Sequence, residues 1–182
     1  MFLVYRGSLM QHKKLDFSYS ELDSHSELSQ EDLDLLKAAE QSVNAAYAPY
    51  SHFKVGSAVM LENGKIFTGN NQENMAFPSG LCAERVALFA ASSANPGIKI
   101  NAISITAKSN EFPVEEPVTP CGGCRQSMIE YENNQGSPIR IILGCENGKV
   151  IIVNQVSDLL PLSFKGEKLK KQRINIFRLT LL

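Results

Sequence analysis

The chain has 182 residues and a mass of 20.0 kDa, a length that fits one domain burying roughly 70% of its unfolded surface. With 43% hydrophobic and 20% charged residues it has the composition of an ordinary globular domain, and no apolar run approaches the roughly 20 residues that span a bilayer. A formal net charge of −1 argues against a nucleic-acid partner, which needs a basic face.

Met1-Phe2-Leu3-Val4-Tyr5-Arg6 has too short an apolar stretch, and no preceding positive charge, for a signal peptide. A cytoplasmic location is therefore expected. In such a chain four cysteines read as metal or redox chemistry rather than as a disulfide framework. Residues 1–27 form a polar, irregular extension that could add edge strands or wrap the domain, and Met10 is an alternative start.

A helix is expected from Ser29. Its side chain can cap the N-terminus, with Asp32 at the capping-box position and Leu28 and Leu33 placed as a hydrophobic staple. Leu33, Leu36, Ala39, Val43 and Ala46 recur at helical spacing, and Pro49 forbids continuation. From Phe53 to Leu61 the pattern alternates like a strand; Asn63-Gly64 predicts a type I′ hairpin and Ile66-Phe67-Thr68-Gly69 the returning strand. A second helix is expected over Cys82 to Ser92, with Val86, Leu88, Phe89 and Ala90 too apolar for an exposed element. Asn95-Pro96-Gly97 ends it.

Ile98 to Ala107 reads as a strand, Cys121 to about Glu132 as a helix, and Ile139 to Leu143 and Val150 to Val153 as strands joined by a turn at Asn147-Gly148. Strands and helices alternate around one sheet, an α/β layered domain. There is no internal repeat and no interdomain linker.

The chemistry lies in Cys82-Ala83-Glu84-Arg85 and Pro120-Cys121-Gly122-Gly123-Cys124-Arg125-Gln126. Cys121 and Cys124, at i and i+3, share one helix face and can grip one tetrahedral ion. Cys82 offers a third thiolate, and three ligands with an open position are the pattern of a catalytic zinc. Both motifs fall at predicted helix starts, where free N–H groups and the helix dipole favour thiolate over thiol. Glu84 is close enough to a ligand to handle the protons of a water activated by the metal.

Gly122 and Gly123 each cost up to about 1 kcal/mol against Ala in a helix, which points to a close approach to their backbone. Three thiolates on Zn²⁺ leave a formal charge of −1. Arg85 or Arg125 could offset it by donating hydrogen bonds to the sulfurs, and Arg85, beside both Cys82 and Glu84, is favoured. A C-x-x-C pair alone also serves as a structural zinc half-site or a redox pair. Cys145 reads as a buried small hydrophobe, and His12, His25 and His52 match no ligand spacing.

Taken together, the three cysteines, Glu84 and the Pro before the pair resemble the zinc deaminases. From about Leu33 to about Leu169 the chain is similar to the small homotetrameric cytidine deaminases. Ala48-Pro49-Tyr50-Ser51-His52-Phe53-Lys54-Val55-Gly56-Ser57-Ala58 resembles that family's APYSxFxVGAA segment, and Asn71-Gln72-Glu73-Asn74 its N-x-E-N segment. The resemblance implies a three-layer α/β/α fold on a mixed central sheet of about five strands. It divides the chain into an extension (1–27), a catalytic domain (28–169) and a tail of unknown role (170–182).

It further implies Zn²⁺ on Cys82, Cys121 and Cys124, with Glu84 as the proton carrier. Phe53 would line the pocket, Asn71 and Glu73 would hold the ribose hydroxyl, and Ala83 would offer its carbonyl to the base's amino group. Asn71 and Glu73, an amide and a carboxylate two residues apart on a strand edge, also suit a sugar hydroxyl on their own chemistry. Leu159-Leu160-Pro161-Leu162-Ser163-Phe164 resembles a family motif whose Phe enters a neighbouring subunit's site. Read without the family, Phe164 would be a core anchor. Phe77 stands where the family often carries a Tyr, so that hydroxyl is lost.

The implied reaction is hydrolytic deamination of cytidine and deoxycytidine, with a nucleoside as partner and neither nucleic acid nor membrane. A deaminase of a modified cytosine nucleoside such as blasticidin S is the nearest alternative. A polynucleotide-editing deaminase would need a basic groove. From other classes, a zinc-stabilised binding module would have no use for Glu84, and a thiol redox protein would join Cys121 to Cys124 reversibly.

Overall fold

The computed structural model describes residues 10–166; residues 1–9 and the tail expected at 170–182 lie outside them. Along the chain run β1 (Tyr19–Leu22), α1 (Gln30–Val43), β2 (Phe53–Leu61), β3 (Ile66–Asn70), α2 (Ala83–Ala94), β4 (Ile100–Ser109), α3 (Gly122–Gln135), β5 (Arg140–Gly144) and β6 (Val150–Val153). A 3-10 turn at Val156–Leu159 follows.

Ser29 caps α1 as its sequence predicts, its hydroxyl accepting the Asp32 N–H at 3.2 Å. Asp32 does not complete a capping box. Its carboxylate, 6% exposed, is paired with Arg140 of β5. The reciprocal box lies earlier, where Ser24 and Glu27 bond to each other's backbone.

Leu35 and Leu36 are both fully buried, while Leu33 is only half-buried. The helix stops at Val43, well before Pro49, and Ala46 lies beyond it. A tertiary pairing explains the early end: Tyr47 donates to the Asn71 carbonyl at 3.0 Å and accepts from Glu73 N–H at 2.8 Å.

The hairpin differs from the expected type I′. Gly64 has φ +79°, but Asn63 is not among the residues of positive φ. Gly64 N–H bonds to Leu61 O at 2.9 Å and Leu61 N–H to Lys65 O at 2.9 Å. A type I turn closed by a left-handed glycine satisfies these bonds without positive φ at Asn63.

Among the described residues the sheet has six strands in the order β1-β6-β5-β4-β2-β3. Only β4 and β5 run parallel. Beyond the five expected strands, the extension contributes β1, which pairs antiparallel with β6. This is the mixed-sheet, three-layer α/β/α fold.

On one face α1 packs Leu35, Leu36 and Ala39 against Ala58, Met60 and Ile142. On the other, α2 and α3 pack Ala87, Leu88, Met128 and Ile129 against Val59, Ile103 and Ile141. Both layers approach the sheet at glycines. A Cβ at Gly56 would stand 2.2 Å from Ala39 O, and one at Gly69 2.4 Å from Ala87 N.

Gly69 thereby seats α2 flat on β3, which fixes where its first turn begins. Contrary to expectation, Phe89 of α2 is 42% exposed and Ala90 is exposed as well, because the alanines at 83, 87 and 91 take the sheet-facing side. Among the described residues no helix is long and apolar enough to cross a membrane.

Candidate functional site

The starts of α2 and α3 meet. Cys82 is the N-cap of α2, Cys121 the N-cap of α3 and Cys124 lies in the first turn of α3. Neither N-cap makes a side-chain capping bond. Both helix starts thus direct free N–H groups and positive dipole ends at the sulfurs.

Cys82 and Cys121 Sγ are 3.9 Å apart, and all three sulfurs lie within 4.8 Å of one another. Thiolates about 2.3 Å from a tetrahedral zinc stand about 3.8 Å apart. The cluster is already close to that size and is made of zinc's preferred soft donors. The residues fit the metal.

Electrostatics support thiolate at this point. A hydrogen bond from the Cys124 thiol, helped by the Arg85 guanidinium, brings Cys82 down from 9.0 to about 5. The same sharing holds the Cys124 proton in place and pushes that thiol up. Of the two arginines, Arg85 is the one beside sulfur: its Nη2 lies 3.9 Å from Cys82 Sγ. Its Nε is buried and has no partner among the described residues. Arg125 instead donates to two carbonyls, Pro120 O at 2.8 Å and Leu159 O at 2.9 Å.

Glu84 sits in the first turn of α2, 5% exposed. Burial raises its pKa above the usual 4.5, and the negative charge on Cys82 adds to the effect. A carboxylate with a raised pKa binds a proton more readily and is a stronger base.

Beside Cys82 opens a cavity of about 560 Å³ whose walls include Tyr50, Asn71, Glu73, Phe77 and Arg85. That volume suits a small molecule. Asn71 and Glu73 therefore share one cavity with a cluster cysteine, although each is also bonded to the protein. Asn71 donates to Phe53 O at 2.9 Å and accepts from Val55 N–H at 2.8 Å, prolonging the sheet past the end of β3. Glu73 accepts from Tyr50 N–H at 2.8 Å and from the Ser51 hydroxyl. The Ser51 bond is the main cause that holds its pKa below 4.5.

Three other candidates stand apart from this wall. Phe53 stacks on Phe112 with centroids 6.1 Å apart and is not part of the cavity lining. The Ala83 carbonyl lies against β3, 2.7 Å from where a Gly69 Cβ would be. Phe164 is 69% exposed, so it is no core anchor. Its carbonyl accepts from Gln126 Nε2 at 3.2 Å.

A Cβ added at Gly122 would meet nothing within 4 Å. The open space before that backbone is not filled by any of the described residues. Tyr50 and Ser51 were not singled out as site residues from sequence; their place in the Ala48-Pro49-Tyr50-Ser51 segment was the available signal. Phe77 meets Tyr50 edge to face at 6.0 Å.

Comparison with known proteins agrees with this geometry. Residues 29–135 match the family model described as the cytidine and deoxycytidylate deaminase zinc-binding region. The chain is 38% identical over 133 residues to a cytidine deaminase of Halalkalibacterium halodurans, covering 73% of this chain and 93% of that one. It is 37% identical to that of Sporosarcina psychrophila, covering 74% and 92%.

The crystal structure of cytidine deaminase from Burkholderia pseudomallei superposes with a TM-score of 0.63 at 39% identity, covering 72% of this chain and 97% of that one. A solved cytidine deaminase of Mycobacterium tuberculosis gives 0.55 at 29% identity, covering 72% and 95%. The chain belongs to the cytidine and deoxycytidylate deaminase zinc-binding family.

Proposed function

We propose that this chain is a hydrolase that deaminates cytidine and deoxycytidine to uridine and deoxyuridine, releasing ammonia, in pyrimidine salvage. The observation that carries this is the meeting of three thiols beside Glu84, a carboxylate whose pKa burial raises. The family match supports the same chemistry. Cys82, Cys121 and Cys124 would hold Zn²⁺, which when bound supplies the acidification of a water nucleophile.

Glu84 takes a proton from the attacking water and delivers it to the pyrimidine ring, then to the leaving amine. Arg85 donates to Cys82 and offsets the negative charge of the thiolates. Asn71 and Glu73 orient the sugar through its hydroxyl. The amide oxygen of Asn71 keeps a second lone pair beyond its bond from Val55 N–H, and Glu73, its pKa lowered, is a ready acceptor. Phe53 and the Ala83 carbonyl are assigned to the pyrimidine on family resemblance alone.

Residues 28–169 are taken as the catalytic unit. A homotetramer with shared sites is the proposed assembly on family resemblance, with the exposed Phe164 free to enter a neighbour's site. A ligand set of thiols functions where cysteines stay reduced, which favours the cytoplasm.

Ammonia release tests the substrate assignment, with cytidine, free cytosine and blasticidin S compared on one zinc-loaded preparation. Cytidine should exceed cytosine in kcat/KM, by up to roughly 10⁴ if the bound sugar leaves the clamp fully dry. Preference for blasticidin S over cytidine would overturn the substrate, and no ammonia from any of them would overturn the reaction.

A further inference from the structure

One polar network is not used by the chemistry above. It runs along one side of α3 and joins the start of that helix, with its C-x-x-C pair, to the chain after β6. At its near end is Arg125, directly after Cys124. Its backbone N–H donates to Cys121 O at 2.9 Å and its Nε to Pro120 O at 2.8 Å. The first bond is the opening i→i−4 bond of α3; the second, from the side chain, reaches back to the residue just before Cys121.

The same guanidinium donates from Nη1 to Leu159 O at 2.9 Å, at the end of the 3-10 turn. Two turns along α3 stands Glu132, 8% exposed. Its carboxylate accepts N–H bonds from Ile139 at 2.9 Å, Val156 at 2.7 Å and Ser157 at 2.9 Å. Gln126 then holds Phe164 O at 3.2 Å. Between these anchors, Ile129 of α3 shares a buried cluster with Val156, against which Leu159 and Leu160 pack.

We infer that Arg125 is a positioning residue: its fork holds the Pro120 carbonyl, directly before Cys121, and ties it to residues 156–164, so that metal occupancy and the seating of that segment are coupled. The inference rests on the zinc assignment proposed above. Arg125 is suited to the task because a planar guanidinium presents donors in fixed, divergent directions and can bridge two carbonyls at once, which an ammonium on a flexible stem cannot hold in register. Glu132 anchors the far end of the segment, and among the described residues it bonds to Ile139, Val156 and Ser157 rather than to Pro120 or a cysteine. The two residues therefore separate the functions of loop geometry and segment anchoring.

Two measurements on the whole protein test this, and neither reads activity. Zinc affinity, by competition with a chromophoric chelator, should fall about 10–100-fold in Arg125→Lys, the range for groups that orient metal ligands. In Glu132→Gln, which leaves the Pro120 carbonyl bonded, it should fall by less than in Arg125→Lys. Amide hydrogen exchange at 156–159 should rise in both variants.

If Arg125→Lys does not fold, the wild type still decides. Chelating its zinc should speed exchange at 156–159 more than at the β2 and β4 core. Wild-type zinc affinity in Arg125→Lys, or exchange at 156–159 indifferent to zinc, would overturn the coupling while leaving the deaminase assignment standing. Failure of the wild type to bind zinc at all would overturn both.

Discussion

Arg85 Nη2 stands 3.9 Å from Cys82 Sγ, and the same arginine forms part of the cavity wall with Glu73 and Asn71. One cation therefore faces the cysteine cluster and the cavity together. Three thiolates on a divalent ion leave a net negative centre, and a guanidinium bonded to one sulfur offsets it. Arg85→Gln should weaken zinc binding by about 10–100-fold and Arg85→Lys by less, both read by chelator competition. Unchanged affinity in Arg85→Gln would show that charge compensation comes from elsewhere.

Glu84→Gln should separate stability from activity. Burial lifts the folded-state pKa of Glu84 above 4.5. Its protonated form is thus the one that folding favours: that contribution is complete below the unfolded pKa and is lost as pH rises through the folded one. At pH 7, above the unfolded value, keeping Glu84 in this buried site costs stability, and the neutral amide removes the penalty.

Metal-free Glu84→Gln should accordingly show a higher urea midpoint than wild type at pH 7, with the gain shrinking as pH falls toward 4. Turnover should drop by about 10²–10⁴ or more, because one group serves several proton transfers. Retention of a tenth of wild-type turnover would place the proton work on another residue.

Asn71 and Glu73 are expected to fail in different ways. Both polar ends of the Asn71 amide are bonded to the β2 backbone, so Asn71→Ala leaves a main-chain donor and acceptor unpaired. It should cost about 1–3 kcal/mol of stability, measured by urea denaturation. Glu73→Ala removes a carboxylate of the cavity wall that holds the Tyr50 N–H and the Ser51 hydroxyl, and the cytidine-to-cytosine ratio of kcat/KM should collapse. A ratio unaffected by Glu73→Ala would remove the sugar clamp.

Phe164→Ala should be silent in the isolated fold, since the ring is 69% exposed. If the ring completes a neighbour's pocket, cytidine turnover falls while the denaturation midpoint holds. Sedimentation velocity alongside activity on dilution checks this. Full turnover in Phe164→Ala would place the ring outside every pocket.

Much of the site was legible because its signals are local. Ser29 announces a helix start with its own side chain, and Cys82 and Cys121 mark two more by the residues around them. What sequence could not give was decided across the fold. Periodicity carried α1 on to Ala46, but pairing of Tyr47 with Asn71 and Glu73 turned the chain at Val43. Asp32 looked like a capping residue and was taken by Arg140, far along the chain.

Phe89 looked buried because its helix is apolar all round, yet small alanines hold the sheet-facing side. β1 carries no strong strand signal and forms because the edge of β6 is available. The anchoring of Asn71 to β2 was likewise invisible, since its partners are backbone groups 16 and 18 residues away.

Zinc stoichiometry measured beside cytidine turnover tests the metal assignment most directly, in wild type and in the Cys82→Ala, Cys121→Ala double variant. One zinc per chain and ammonia release from cytidine are expected of the wild type. The double variant should lose both while keeping its folded far-UV signature, because Cys121 is exposed and Cys82 only packs at the margin of the buried cluster of Val59, Ile103 and Ile141. Full zinc in the double variant, or cytidine turnover persisting without the metal, would contradict it.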